Sequence, residues 1–411
     1  MNLIKLITKS LISICINLII YIISSFIPKS KKIWLFGGWF GRRFADNSRY
    51  FYLYCNQFKE ELGLDKVIWI TEDACIYDDL KSKGFEVYKK WSIKSIWYHF
   101  RAKNIFVDQG PNDVNKYFCI RCNRINMWHG FPLKKIGSLV ESIDFKLDDL
   151  YNKYFKLGGW SKYYLQVTSK LSREILSKAF NINDRRTIMS GYPRNDVFSN
   201  DYWNCYLSES ERIAMNNIQI YKKKGYNVIF YLPTFRDNKN IELLNIKSQV
   251  ELQELTEFLK NNKILLVTKF HFAQDDTQFE YSIDNNILNL ESIIDVYPIL
   301  TETHILITDY SSVYFDFLIT KKPIIFYPFD LEYYSDPLQG RGLIFDYNEF
   351  TPGSKAYTIN QLLDEIDYVI NNKEKYINKY NKQYDKITKI VFDDNKENCS
   401  ENLAKKIKKL F

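Results

Sequence analysis

Apolar residues along this chain fall into short runs, and the stretches between them carry helical spacing. In the first half Ile33 to Phe36, Val67 to Thr71, Glu86 to Tyr88, Asn104 to Asp108, Lys116 to Asn126 and Tyr164 to Ser169 read as strands. Between them Ser48 to Glu61, Cys75 to Lys83, Ser92 to Arg101 and Lys170 to Phe180 are helical in pattern. The second half repeats the scheme. Its strands are Asn227 to Leu232, Ile264 to Thr268, Ile305 to Ile307 and Pro323 to Pro328, and its helices include Leu252 to Asn261 and Ile293 to Leu300. Strands alternating with helices at a spacing of about 10–15 residues predict an α/β chain with parallel sheets. Gly191-Tyr192-Pro193 marks a turn at the seam between halves, and from Tyr368 a Lys- and Asn-rich helical pattern runs to a basic amphipathic tail. The resulting division is an apolar segment at 1–30, domains at 31–198 and 199–385, and a helical tail at 386–411.

The apolar segment changes the picture of where the chain works. Leu3 to Ile27 is strongly apolar, with Lys5 and Lys9 before its densest part and Lys29, Lys31 and Lys32 after it. Leu11 to Ile27 is at the lower limit for crossing a bilayer, about 17 residues, and Ser13, Asn17, Ser24 and Ser25 interrupt it. A helix lying in the cytoplasmic leaflet is the favoured expectation, with a single span as the alternative. No small-x-small cleavage site follows, which argues against a signal peptide.

At 411 residues the chain has room for two cores, and a 17% aromatic content argues against disorder. A net charge of +8 favours anionic partners such as a phospholipid surface, a nucleotide or a polyanionic product. Nucleic acid is disfavoured, because no basic run or binding module accompanies the charge. Seven scattered cysteines fit a reducing compartment, and Cys119 with Cys122 lacks the second pair that a zinc site needs.

The candidate chemistry sits at strand ends, where parallel sheets bind ligands. His129, next to Gly130, follows the strand ending at Asn126 and could accept a proton from a hydroxyl. In the second half Thr234 and Arg236 follow one strand, and Lys269 and His271 follow another. Thr308-Asp309-Tyr310-Ser311-Ser312 reads as a strand, a turn and a helix start that could cradle an anion, with Arg341 held between two glycines further on. Cations and hydroxyls recurring at the same end of one sheet predict a diphosphate site.

These elements together resemble the CDP-glycerol glycerophosphotransferase family of teichoic-acid and capsule alditol-phosphate transferases. The matching stretches are Phe36-Gly37 with Asp46-Asn47-Ser48, Asn126-Met127-Trp128-His129-Gly130, Gly191 to Asp196, Tyr231 to Arg236, Lys269-Phe270-His271, Thr308 to Ser312, and Arg341-Gly342 to Asp346-Tyr347 with Pro352-Gly353. Phe272 stands where the family often has proline. The resemblance implies a GT-B-like fold, two Rossmann-like domains facing across a cleft, with acceptor chemistry in the first and the CDP donor in the second. It implies transfer of glycerol or ribitol phosphate from a CDP-alditol to a lipid-linked glycan or polymer acceptor, at the cytoplasmic face of the bacterial membrane. The catalytic residues carried over are His129 as base and His271. Arg236, Thr234, Lys269, Asp309, Ser311, Ser312, Arg341 and Gly130 are carried over as substrate-binding. No cofactor is required by this reading, and a divalent cation is left open at Asp309 and Asp316. A sugar-nucleotide glycosyltransferase uses the same scaffold and is the alternative.

Overall fold

The computed structural model describes residues 18–140, 163–234, 243–269, 282–336 and 342–411. The chain forms two units, each discontinuous in sequence. The first contains residues up to Gly130, Ile136–Trp203 and Phe392–Phe411; the second contains Phe131–Lys135 and Asn204–Val391.

In the first unit the strands are β1 (Ser30–Phe36), β2 (Lys66–Thr71), β3 (Val87–Lys89), β4 (Ala102–Val107), β5 (Asn123–Asn126), β6 (Tyr163–Val167) and β7 (Thr187–Met189). They pair in the order β3-β2-β1-β4-β5-β6-β7, all parallel. Side chains alternate across a strand, so the central strands present two faces of different character. Ile33, Leu35, Ile68, Ile70, Ile105 and Val107 form an aliphatic face. The opposite face is aromatic. Phe36 stacks on Phe106 at 4.7 Å, and Phe51 of the helix Asp46–Gln57 meets Phe106 edge-on at 5.1 Å. Such pairs each contribute about 0.5–1.5 kcal/mol beyond area burial. They seat that helix so that its first residues lie at the sheet's carboxyl edge.

In the second unit β8 (Asn227–Leu232), β9 (Ile264–Thr268), β10 (Ile287–Asn289), β11 (Ile305–Thr308), β12 (Ile324–Phe326) and β13 (Ser354–Lys355) pair in the order β10-β9-β8-β11-β12-β13. All of these pairings are parallel. Ile229, Tyr231, Leu266, Ile307 and Ile325 pack with Leu255 and Leu259 of the helix Gln249–Asn261 in one core.

The last helix, Cys399–Leu410, returns to the first unit. Asp196 caps it by accepting from the backbone N–H groups of Cys399 (2.7 Å) and Ser400 (2.9 Å). A side chain at Gly191 would run into the Asn395 carbonyl and the Cys399 sulfur, so only glycine permits the approach.

Two expectations are corrected. Strand β5 is only Asn123–Asn126; the preceding Lys116 to Cys122 turns instead, with Arg121 at φ 61°. The helix expected over Ile293 to Leu300 is Val296–Glu302, capped by the Asp295 carboxylate. Among the described residues no helix is long and apolar enough to cross a membrane. The described part of the N-terminal segment is helical over 18–25, and 1–17 lie outside the described residues.

His99 shows how burial sets a titration. Its Nε2 accepts from the Asn115 N–H (3.2 Å), so Nδ1 carries the proton and donates to the Ser95 carbonyl (2.7 Å). Burial lowers its pKa to about 4 from 6.5. Between those values the unfolded chain binds the proton and the folded chain does not, so this residue's contribution to stability is lost as pH falls through that window. His99→Gln should flatten the fall in unfolding free energy between about pH 7 and pH 4.5 relative to the parent, measured by urea titration.

Candidate active site

In the first unit the site is built from three loops. The loop after β5 carries Trp128 at φ 57° and Gly130 at φ 145°, with half-buried His129 between them. Asn126 Oδ1 accepts from the Trp128 N–H (2.7 Å), and the indole packs on Phe180 at 4.6 Å. The His129 ring lies 3.9 Å from the Trp128 ring and 5.9 Å from that of Trp39. The left-handed Trp128 is strain that the surroundings must hold in place, while at position 130 glycine adopts its positive φ without that cost.

Asn47 does much of the holding. Fully buried, it donates from Nδ2 to the carbonyls of Trp128 (2.8 Å) and Met127 (3.4 Å). Its Oδ1 accepts from the Arg194 N–H (3.3 Å). Arg194 in turn donates from Nη1 to Asp46 Oδ1 (2.7 Å), an ion pair almost wholly out of water. Asp46 itself sits at φ 64°. These residues bind the loops at 46–48, 126–130 and 191–196 into one body.

Beside them lie two more buried acids. Asp108, at the carboxyl end of β4, accepts from the Ser48 N–H (3.0 Å). Burial pushes its carboxyl well above the usual range, helped by the charges of Asp46 and Asp113. Burial also raises Asp113 to about 6, against the pull of N–H donors from Gln109, Phe40, Asp108 and Gly110.

In the second unit Asp309 ties the loops after β8 and β11. It is buried, and its Oδ1 accepts from the Thr234 N–H (2.8 Å) and from Tyr310 N–H. Its carbonyl accepts from the Tyr347 hydroxyl (2.9 Å). The Tyr310 ring stacks on Tyr334 at 4.0 Å, and its hydroxyl donates to Asp330 (3.1 Å). Asp316 accepts from the Tyr297 hydroxyl (2.8 Å). Ser311 and Ser312 are half-buried beside this knot. The helix that follows them, Val313–Phe317, has five residues and no side-chain cap, so its dipole is that of little more than one turn. Lys269 donates its ammonium to the Ile294 carbonyl. Residues 133–135 run along 342–344: Lys135 N–H donates to Gly342 O (3.1 Å) and Ile344 N–H to Leu133 O (2.9 Å).

The structure thus brings Thr234, Asp309, Ser311 and Ser312 together, and fixes His129 and Gly130 on a clamped loop. Arg236, His271 and Arg341 lie outside the described residues. Among the described residues no group of three or more His, Cys, Asp or Glu side chains is placed to hold a metal ion. Sequence reasoning assigned no role to Asn47, Asp46 or Arg194. Their signal was an Asp-Asn-Ser after a glycine-rich loop and an arginine inside a Gly-Tyr-Pro turn.

Two all-parallel sheets, each with polar loops where the strand order reverses, define a class of α/β enzymes with paired Rossmann-like units. Residues 19–409 match the family model for CDP-glycerol:poly(glycerophosphate) glycerophosphotransferase, and the chain belongs to that family. It is 28% identical over 376 residues to the teichoic acid poly(glycerol phosphate) polymerase of Bacillus spizizenii, covering 87% of this chain and 88% of that protein. It is 31% identical over 283 residues to the teichoic acid glycerol-phosphate primase of Bacillus subtilis, covering 68% of each. The solved wall teichoic acid polymerase TagF shares the fold, with a TM-score of 0.71 at 21% identity over 99% of this chain and 96% of that one. The protein is therefore a transferase of alditol phosphate from a CDP-activated donor, GT-B-like in its two parallel-sheet units.

Removing one partner of the Arg194–Asp46 pair strands a charge in low dielectric. Arg194→Met and Asp46→Asn should each destabilise by about 3–5 kcal/mol. The double variant should cost clearly less than the sum, read by urea denaturation in a double-mutant cycle.

Proposed function

We propose that this enzyme transfers glycerol phosphate from CDP-glycerol to a hydroxyl of a lipid-linked glycan or growing polymer, with His129 as general base. The acceptor oxygen attacks the distal phosphorus of the donor. The new P–O bond forms as the bond to CMP breaks, CMP leaving with the bridging oxygen and its electron pair. His129 takes the acceptor's proton, a contribution of ~10²–10⁴-fold. Arg236, Lys269, His271 and Arg341 bind the donor's phosphates, and Thr234, Asp309, Ser311, Ser312 and Gly130 shape the loops around it. Charge stabilisation and positioning supply the rest of the acceleration.

The observation that carries the base assignment is the buried clamp of Asn47 and Arg194. It spends an ion pair and several buried hydrogen bonds on the loop that holds His129. Glycerol phosphate is favoured over ribitol phosphate because the poly(glycerol phosphate) polymerase relative aligns over most of both chains.

The reaction belongs at the cytoplasmic membrane face. Supporting this, the helical residues 18–25 and the turn after them expose Leu18, Ile19, Tyr21, Ile22, Ile23 and Phe26, the last 84% exposed. Lys31 and Lys32 are exposed just beyond. An apolar face bordered by cations suits an anionic leaflet.

His129→Ala should lower turnover by at least ~10²-fold while CDP-glycerol binding, followed by calorimetry, stays within about threefold. Retained turnover, or lost binding, refutes the role. Mass spectrometry of products from CDP-glycerol and CDP-ribitol on a lipid-linked acceptor should show mass gain with the former; gain only with the latter would reassign the donor.

A further inference from the structure

A second apolar surface lies on the first unit, far in sequence from the N-terminal helix. The helix Ile93–Arg101 turns Ile93, Lys94, Trp97 and Arg101 to one side, since positions four apart share a face. Ile93 is 87% exposed and Trp97 48%, and Trp91 just before the helix is 59% exposed. The opposite side is pinned. His99 bridges Ser95 and Asn115, and Ser95 Oγ donates to the Lys90 carbonyl (3.1 Å). This helix therefore cannot roll to hide its tryptophan, and the exposure is a property of the folded unit. Exposed apolar groups of this size that cluster mark a contact surface.

The surroundings say what it contacts. Arg101 lies over the Trp97 ring (5.8 Å), Lys116 over Tyr117 (5.2 Å) and Lys94 over Tyr88 (5.9 Å). Tryptophan and tyrosine interleaved with Lys and Arg is the composition of a water–lipid boundary, and the Glu86 carboxylate that accepts from the Tyr88 hydroxyl (2.9 Å) is itself paired with Lys66 (3.0 Å). Charge complementarity on a chain of net +8 points to anionic headgroups.

The surface also continues into the N-terminal helix. Trp91 packs against Tyr117 (6.0 Å) and Phe118 (6.5 Å) at one end of the segment Lys116 to Cys122. At its other end Arg121 donates to the Ser24 carbonyl, and Lys29 donates to the His99 carbonyl (2.9 Å) and the Cys122 sulfur (3.1 Å). Residues 1–17, apolar in sequence with two lysines, precede that helix.

We infer that Trp91, Ile93 and Trp97, rimmed by Lys94, Arg101 and Lys116, form a second bilayer-contact surface that inserts into an anionic leaflet together with the N-terminal helix. Two contacts on one rigid unit hold the protein in one orientation, where a single helix would let it pivot. This rests on the membrane-face reading above and adds the surface that sets the orientation.

The test is flotation of the full chain with vesicles of phosphatidylcholine, with and without about one-third phosphatidylglycerol. The variant W91Q/I93Q/W97Q should bind anionic vesicles about tenfold or more weakly than the parent, with unchanged melting temperature and unchanged turnover on a soluble acceptor. W91F/W97F should restore binding, and brominated lipid should quench tryptophan fluorescence in the parent more than in W91F/W97F. A triple variant that binds like the parent while I22S/I23S/F26S loses binding overturns this inference and leaves the membrane-face reading standing. Loss in neither variant overturns both. A parent that is dimeric by light scattering and a triple variant that is monomeric, with equal vesicle binding, would reassign the surface to a second copy of the chain and refute the lipid contact.

Discussion

A parallel strand with helices over both faces keeps a polar side chain at least cost where it ends, because everywhere else the group is buried away from water and needs a protein partner. In this protein β1 and β4 end in apolar runs at residues 33–36 and 105–107, and β8 and β11 are apolar along almost their whole length. Their polarity is deferred to Asp108, Thr234 and Asp309 just beyond. The strand order reverses beside β1 in one sheet and beside β8 in the other, and there adjoining loops diverge and leave room for a ligand. The chemistry of both units follows from that restriction.

Placing charge at such an edge has consequences of its own. Asp46, Asp108 and Asp113 crowd together out of water. One is neutralised by Arg194, one is surrounded by backbone N–H groups, and the carboxyl of Asp108 is pushed up strongly by burial. A buried ion pair adds little net stability compared with apolar packing, so its presence is better understood as a choice of geometry. Here the geometry is that of the loop holding His129, in which Trp128 would otherwise relax from its left-handed conformation. Asp196 does similar work one step back, joining the 191–196 loop to the closing helix.

Much of this fold was legible in the linear pattern. The helix Lys170–Phe180 and the strand Ile264–Thr268 fall where periodicity put them, because long amphipathic or wholly apolar segments have one way to be buried. The misses have two causes. Strands β7, β10 and β13 are edge strands of two or three residues, too short to carry a period. Lys116 to Cys122 reads as the start of β5, yet it turns, with the Tyr117 N–H donating to Asn115 Oδ1 and the Cys119 thiol to the Asn115 carbonyl. In the candidate site, His129 and Asp309 were visible from their position after apolar runs. Asn47 was not, since its carbonyl partners lie about 80 residues away and the Arg194 N–H 147 away, and no local pattern encodes such a pairing.

Alternating apolar runs and amphipathic helices determined the α/β class, the number of sheets and the ends at which chemistry sits, because burial and backbone hydrogen bonding act over a few neighbouring residues. The order of the strands, the clamp around His129, the return of the last helix to the first unit and the outward face of Trp97 were decided only in three dimensions. Each depends on groups distant in sequence competing for the same buried space, and that competition has no outcome until the chain has folded.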